Sequence, residues 1–320
     1  MATTPALRIG TRSSPLALTQ TRMVADRLRE LTGRDIEIVP IKTDGDVLTG
    51  SLSQMGGTGV FVTALRDALL DGRCDVAVHS LKDLPTADVD GLTYVTPVRE
   101  DPRDALCSRD GHRLADLPHG AKVGTGSPRR AAQLRLVRPD LEIVDIRGNV
   151  DTRLGRVAAA SATTDAGDLD AVVLAAAGLN RMGRSAAITE LIDMSVMAPA
   201  PGQGALAVEC RTADLAPEDA ETNLHAAFTE LDDAGTHLAV AAERALLARL
   251  EAGCAAPVGT YARVVDDVLT LQVIVARPDG SEQLTHSAET EVTLNSRDEA
   301  RRLGTDIADH LLTLGAADFV

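Results

Sequence analysis

KVGTGSPRR, residues 122–130, repeats in order what RIGTRSSP sets out at residues 8–15: a short strand-like run, Gly-Thr, a serine, then proline. Serine is a favoured N-cap because its side-chain oxygen accepts a hydrogen bond from an N–H that the first helical turn leaves without a partner. Proline suits the first helical position, where its missing N–H costs nothing. Each stretch therefore predicts a strand delivered into a helix N-terminus. In the first copy Leu7 to Gly10 is the strand, and the helix opens near Ser13/Ser14 and Pro15 and closes at Gly33. Leu16, Met23, Leu28 and Leu31 lie close to one face of that helix.

Working outward, Ile36 to Lys42 predicts a second strand and Val60 to Leu70 a helix behind a glycine-rich loop. Asp75 to Ser80 is short and continuously apolar, as a buried parallel strand should be. Around the second copy, Leu141 to Ile146 and Leu169 to Ala175 predict strands on either side of a helix near Val150 to Ala160. Strands alternating with helices predict parallel sheets, hence two doubly wound α/β lobes of related pattern. MAPAPGQGALAVEC, residues 197–210, has the proline and glycine of a crossing between domains, followed by an apolar strand.

The last third reads differently. Helices over 221–231 and 237–252 precede the strand runs TYARVV and TLQVIVA, and a helix over 296–314 closes the chain. Turn signals at Asp266-Asp267 and Asp279-Gly280 predict antiparallel pairing. The expected organisation is residues 1–100 plus 200–221, residues 101–199, and a smaller α+β domain over 222–320.

Composition narrows the function. The 320 residues are 44% hydrophobic and 25% charged, an ordinary folded protein. A net charge of −15 argues against general nucleic-acid binding. Four scattered cysteines without CxxC spacing argue against a disulfide framework and a zinc site. The opening residues lack a signal-peptide pattern and no run is long enough for a membrane span, so a cytoplasmic location, with a monomer as the default, is expected. Against this acidic background, residues 121–160 hold eight cations and four acids, which suggests a focused anion site. Because the chain has only three lysines, arginine as a default surface cation is the plainer alternative.

Position strengthens the site reading. Helix N-termini point free N–H groups outward, and an arginine fork adds two parallel charged hydrogen bonds to a carboxylate. Arg12 precedes the first cap, Arg129 and Arg130 follow the second, and DIRGNVDTRLGR sets Arg147 after a strand and Arg153 beyond it. Lys82 and Asp83, in HSLKDLP, follow a buried strand, where open α/β sheets place their functional groups. Cys254 sits among small residues in LEAGCAAPVG, which leave room for a bulky group on the sulfur, although the segment by itself favours an inert buried cysteine.

Taken in order, IGTRSSPLALTQ, GGTGVFV, DVAVHSLKDLP, VGTGSPRRAAQL, DIRGNVDTRL, APAPGQGALAVEC and GCAAPVG make the chain resemble, over nearly its whole length, the hydroxymethylbilane synthase (porphobilinogen deaminase) family. The resemblance implies two lobes like those of periplasmic binding proteins with the active cleft between them, plus a smaller cysteine-bearing domain. It implies a transferase of haem and porphyrin biosynthesis that joins four porphobilinogen molecules head to tail on a covalent dipyrromethane cofactor and releases a linear tetrapyrrole by hydrolysis. It makes Asp83 the catalytic carboxylate and Cys254 the attachment point. It assigns Arg12, Lys82, Arg129, Arg130, Arg147, Arg153 and, more loosely, Arg181 to the carboxylates of substrate and cofactor. Ser13, Ser80, Thr125, Ser127 and Gln203 become supporting polar contacts, and no metal is implied.

Hinge motion near 99–103 and 197–202 follows by analogy. Many relatives carry lysine where this chain has Thr58, so that role is not transferred, and Ser161 to Asp168 reads as an inserted surface loop. The rival reading is a non-catalytic receptor for a polycarboxylate on the same two lobes. It explains the arginine turns but neither the third domain nor Cys254.

Overall fold

The structure, a computed structural model, describes residues 5–42, 59–157, 167–216, 224–252 and 256–319, and only the backbone of 59–61. Thr58, most of the 161–168 loop and Cys254 lie outside the described residues. The chain forms two compact units, Met1–Arg99 with Ala205–His237, and Glu100–Gly204 with Leu238–Val320.

In the first unit β1 (Leu7–Thr11) leads through α1 (Pro15–Thr32) to β2 (Ile36–Pro40), and α2 (Gly59–Leu70) leads to β3 (Val76–Ser80) and β4 (Leu92–Val95). Ser14 caps α1, accepting from the Ala17 N–H at 3.3 Å, and Gly33 ends it at φ +66°. The side chains of β3 alternate between two cores, as strand geometry requires. Val76 and Val78 join Leu7, Ile9, Val24 and Leu28, whereas Ala77 joins Leu65, Leu69 and Cys74.

The chain then supplies β5 (Asp104–Ser108), β6 (Lys122–Gly124), α3 (Pro128–Val137), β7 (Glu142–Val144), α4 (Val150–Leu154), β8 (Ala171–Ala175), α5 (Ala176–Arg181) and β9 (Glu190–Leu191) to the second unit. It returns to the first as β10 (Leu206–Arg211) and α6 (Leu224–Leu231), whose Leu224, Ala227 and Phe228 complete the α1 core. Sheet orders are β2-β1-β3-β10-β4 and β7-β6-β8-β5-β9. The two repeat one plan: a central strand parallel to both neighbours, then an antiparallel strand next to the third.

The two lobes are doubly wound as expected, but their sheets are mixed rather than wholly parallel. β5 and β10 each follow a connection from the other unit and enter their sheet in reverse. The repeat extends to packing. A Cβ on Gly10 would stand 2.8 Å from the Cys74 sulfur, and one on Gly124 would stand 2.5 Å from Leu169 Cδ1. At the same place in both motifs the residue two before the neighbouring strand, β3 or β8, approaches too closely for a side chain.

α7 (Ala234–Arg249) leads toward a third, antiparallel sheet of β11 (Val258–Val265), β12 (Val268–Ala276) and β13 (Gln283–Glu291), covered by α8 (Arg297–Thr313). Asp266 and Asp267, at φ +49° and +61°, make the two-residue turn with positive φ that suits a twisted hairpin. Leu238, Ala242 and Leu246 of α7 pack with Leu271 and Val273 of β12 and Leu303, Ile307 and Leu311 of α8. The Thr260 N–H of β11 donates to Pro199 O at 2.8 Å, fastening this sheet to the connecting segment within the second unit.

Candidate functional site

In the first unit, β1 and β3 run parallel and adjacent, so Arg12, just past β1, and the turn Leu81–Asp83, just past β3, emerge at the same end of the sheet. Leu81 and Leu84 are buried on either side of Lys82 and Asp83, which are half-buried. The Leu81 N–H donates to Ala205 O at 3.1 Å and the Leu84 N–H to Leu81 O at 3.0 Å, so the backbone holding Asp83 is fixed at both ends. Ser80 Oγ donates to Gln20 Oε1 at 3.2 Å, and Ser13 is exposed beside the α1 cap.

Within the sheet beside β3 lies a charged group that the sequence reading missed. Glu209 of β10 is buried, with Oε1 2.9 Å from Arg66 Nη2 and Oε2 3.1 Å from His79 Nε2. Burial alone would push its carboxyl up; the hydrogen bonds and charges of His79 and Arg66 outweigh that and hold it below the ordinary value.

In the second unit the predicted residues gather past the ends of β6, β7 and β8. Ser127 caps α3, accepting from the Arg130 N–H at 3.5 Å, while its own N–H donates to Thr125 Oγ1 at 3.2 Å. Arg129 and Arg130 are buried rather than displayed, and both converge on Asp104, the first residue of β5. Arg129 Nη2 is 2.8 Å from Oδ2 and Arg130 Nη2 is 2.8 Å from Oδ1. Arg129 also donates to Ala198 O, and Arg130 Nη1 to Val173 O at 3.1 Å. Burial would raise the Asp104 carboxyl, but the charges of Arg129 and Arg130, with a hydrogen bond from Gln203, bring it down to about 2.

Two guanidiniums share that one carboxylate, so the cluster retains one positive charge. Arg129 Nε is buried without a hydrogen-bond partner among the described residues. Arg153, half-buried, donates to Gly148 O at 2.8 Å; burial and then the charges of Arg130 and Arg147 push its pKa below the ordinary arginine value. Arg147 is more exposed and reaches Asp145 at 3.4 Å. Arginines that lower one another's pKa form a cation-rich surface suited to carboxylates. Arg181 has a different setting: it is half-buried, which pushes its pKa below the ordinary value, and its Nη2 donates to Gly204 O at 2.6 Å. Gln203 is buried, donating to Pro102 O at 2.7 Å and to Asp104 Oδ1 at 2.9 Å.

Cys74, Cys107 and Cys210 are buried, and burial pushes the Cys107 and Cys210 thiols up to about 12, far from a reactive thiolate. Among the described residues no His, Cys, Asp and Glu cluster could hold a metal, and no helix is long and apolar enough to cross a membrane.

A family model described as "Porphobilinogen deaminase, dipyromethane cofactor binding domain" matches residues 7–219, and one described as "Porphobilinogen deaminase, C-terminal domain" matches 237–313. A porphobilinogen deaminase of Leifsonia xyli is 56% identical, covering 98% of this chain and 94% of its own. One of Cutibacterium acnes is 54% identical, covering 98% and 96%. Among solved structures, a periplasmic substrate-binding protein of an ABC transporter from Coxiella burnetii aligns at a TM-score of 0.41 and 17% identity, over 69% of this chain and 91% of that one, which is too low to carry an argument. With two family models in sequence order and relatives matched nearly end to end, the chain belongs to the porphobilinogen deaminase family.

Proposed function

We propose that this chain is a hydroxymethylbilane synthase, a transferase that deaminates four porphobilinogen molecules and joins them head to tail before releasing the linear product by hydrolysis. The observation that carries the reading is family membership across nearly the whole chain, in both matched regions. The non-catalytic receptor is not favoured, because the match continues through the C-terminal domain. We read three domains, each with its own sheet, along the boundaries expected above except that α6 goes with the first lobe, whose core it shares.

The arginine cluster fits a cofactor that bears carboxylates, since one buried positive charge and the Arg129 Nε donor remain uncommitted among the described residues. Arg129, Arg130, Arg147 and Arg153 would hold its acid groups and those of incoming porphobilinogen. When bound through Cys254, the dipyrromethane supplies the free pyrrole carbon from which the chain grows. For each porphobilinogen, the C–N bond of the aminomethyl group breaks and ammonia leaves, giving a delocalised cation. A C–C bond then forms to the acceptor ring, which loses the proton at that carbon. Asp83, fixed between two buried leucines, stabilises the developing positive charge beside the pyrrole N–H and takes part in the proton's removal. Arg12 and Lys82 flank it as carboxylate anchors. We further assign the protein to the cytoplasm as a monomer that binds neither nucleic acid nor membrane, a reading supported by its acidic composition.

Incubation with porphobilinogen, monitoring ammonia and coloured porphyrin products, tests the activity. Protein purified from cells is expected to carry a mass adduct equal to a two-ring pyrrole, absent from Cys254→Ala. An active but unmodified wild type would overturn the cofactor assignment.

A further inference from the structure

Two arginines in the first turn of a helix face the wrong end of its dipole, and α3 has no acid in that turn to offset them. Arg129 and Arg130 are nevertheless both buried there. The compensating charge comes from Asp104, fully buried at the start of β5 and 25 residues upstream of Arg129 in the sequence. Its Oδ1 accepts from Arg130 Nε at 2.9 Å and its Oδ2 lies 2.8 Å from Arg129 Nη2, so one carboxylate holds both guanidiniums close. Gln203 completes the frame: its amide N–H groups reach Asp104 Oδ1 and Pro102 O, and its Oε1 accepts from Arg130 at 3.4 Å.

We propose that Asp104, backed by Gln203, is the positioning residue of the carboxylate-binding arginines, holding two guanidiniums on one carboxylate so that they remain oriented and one charge short of neutral. The proposal rests on the synthase reading. Asp104 would act on bound carboxylates only through Arg129 and Arg130. Without the Asp104 charge the paired guanidiniums would repel at close range in a site that excludes water, and one would rotate off its present line. With a second carboxylate beside it, the cluster would be neutral and would lose its attraction for an anion. Ground-state and transition-state binding of substrate carboxylates should suffer alike, because these groups do not change charge during the reaction. The expected signature is therefore a change in KM with kcat retained.

The test is steady-state kinetics with porphobilinogen on cofactor-loaded Asp104→Asn, Gln203→Leu and Gln203→Glu, loading being checked by intact mass. Asp104→Asn is expected to raise KM about tenfold with kcat within about threefold of wild type, and Gln203→Leu to raise KM less, by about threefold. Gln203→Glu, which neutralises the cluster, should raise KM as well. A folded, loaded Asp104→Asn with wild-type KM would overturn the proposal, as would equal falls in kcat and kcat/KM, the pattern of a general structural defect. If Asp104→Asn does not fold, the two Gln203 variants decide: raised KM supports the proposal and unchanged KM overturns it. Absence of turnover in the wild type would instead sink the synthase reading, a separately visible outcome.

Discussion

Oε2 of Glu209 lies 3.1 Å from Nε2 of His79 across the antiparallel pair of β10 and β3, on a diagonal rather than directly opposite. Arg66 of α2 approaches the other oxygen at 2.9 Å, so β10, β3 and α2 meet on one buried carboxylate, with His79 four residues before Asp83 in the sequence. Removing one partner of a buried charge pair leaves the other uncompensated, which costs about 3–5 kcal/mol. Glu209→Gln keeps the size and one acceptor, so a loss of about 3 kcal/mol is expected in urea unfolding. Combining it with Arg66→Met should recover part of the loss, because the orphaned cation is removed too. A loss under about 0.5 kcal/mol would mean that water already shares the site.

Acid stability should show the Asp104 cluster. Its carboxyl falls from an ordinary 3.8 to about 2 on folding, so its contribution is fully present above pH 3.8 and is lost as the pH falls toward 2. The direction is the same for Glu209, whose folded value also lies below its ordinary one. The Asp104 shift corresponds to about 2 kcal/mol. Stability measured from pH 5 down to 2 should therefore decline steeply below pH 4, and Asp104→Asn, less stable at pH 5, should decline less steeply. Parallel curves for the two proteins would contradict this account.

Much of this architecture was legible in the sequence because its signals are local. The Ser-Pro openings of α1 and α3, the apolar run of β3 and the Asp266-Asp267 turn each encode their conformation within a few residues. The Asp279-Gly280 turn implied a strand beyond it, but QLTHSAETE carries too little apolar alternation to delimit β13; its nine residues are strand because β12 offers a complete ladder to pair with. β5 was missed for a related reason, its strand being five residues long and opened by an acid. The arginines were found as positions at strand ends, but their burial was not, since only the fold brings Asp104 to α3. Glu209 and His79 were hidden similarly, 130 residues apart in the chain.

The repeated glycine offers a stability test of the internal repeat. At Gly124 an added Cβ would meet Leu169 at 2.5 Å and Ile146 at 3.0 Å, both fully buried, with no solvent into which either could move. Gly124→Ala is thus an overpacking change, expected to cost about 1–3 kcal/mol in thermal or urea unfolding. Gly10→Ala, whose nearest obstacle is the Cys74 sulfur at 2.8 Å, should cost a comparable amount, and Cys74→Ala should relieve it in the double variant. Full additivity of the two losses would show that the sulfur is not the obstacle.

Asp83→Asn separates chemistry from architecture. The turn that carries Asp83 is held by the buried Leu81 and Leu84 and by backbone hydrogen bonds to Ala205 and within the turn, none of which involves the carboxylate. The substitution removes only a charge from a half-buried side chain, so the unfolding midpoint should stay within about 2 °C of wild type. A fixed charge facing a developing cation is worth roughly 10²- to 10³-fold in rate. Turnover of porphobilinogen should fall by that factor while the protein keeps its fold. Turnover within tenfold of wild type would transfer the role to another acid, whereas a large fall in the unfolding midpoint would show that the carboxylate supports the turn itself.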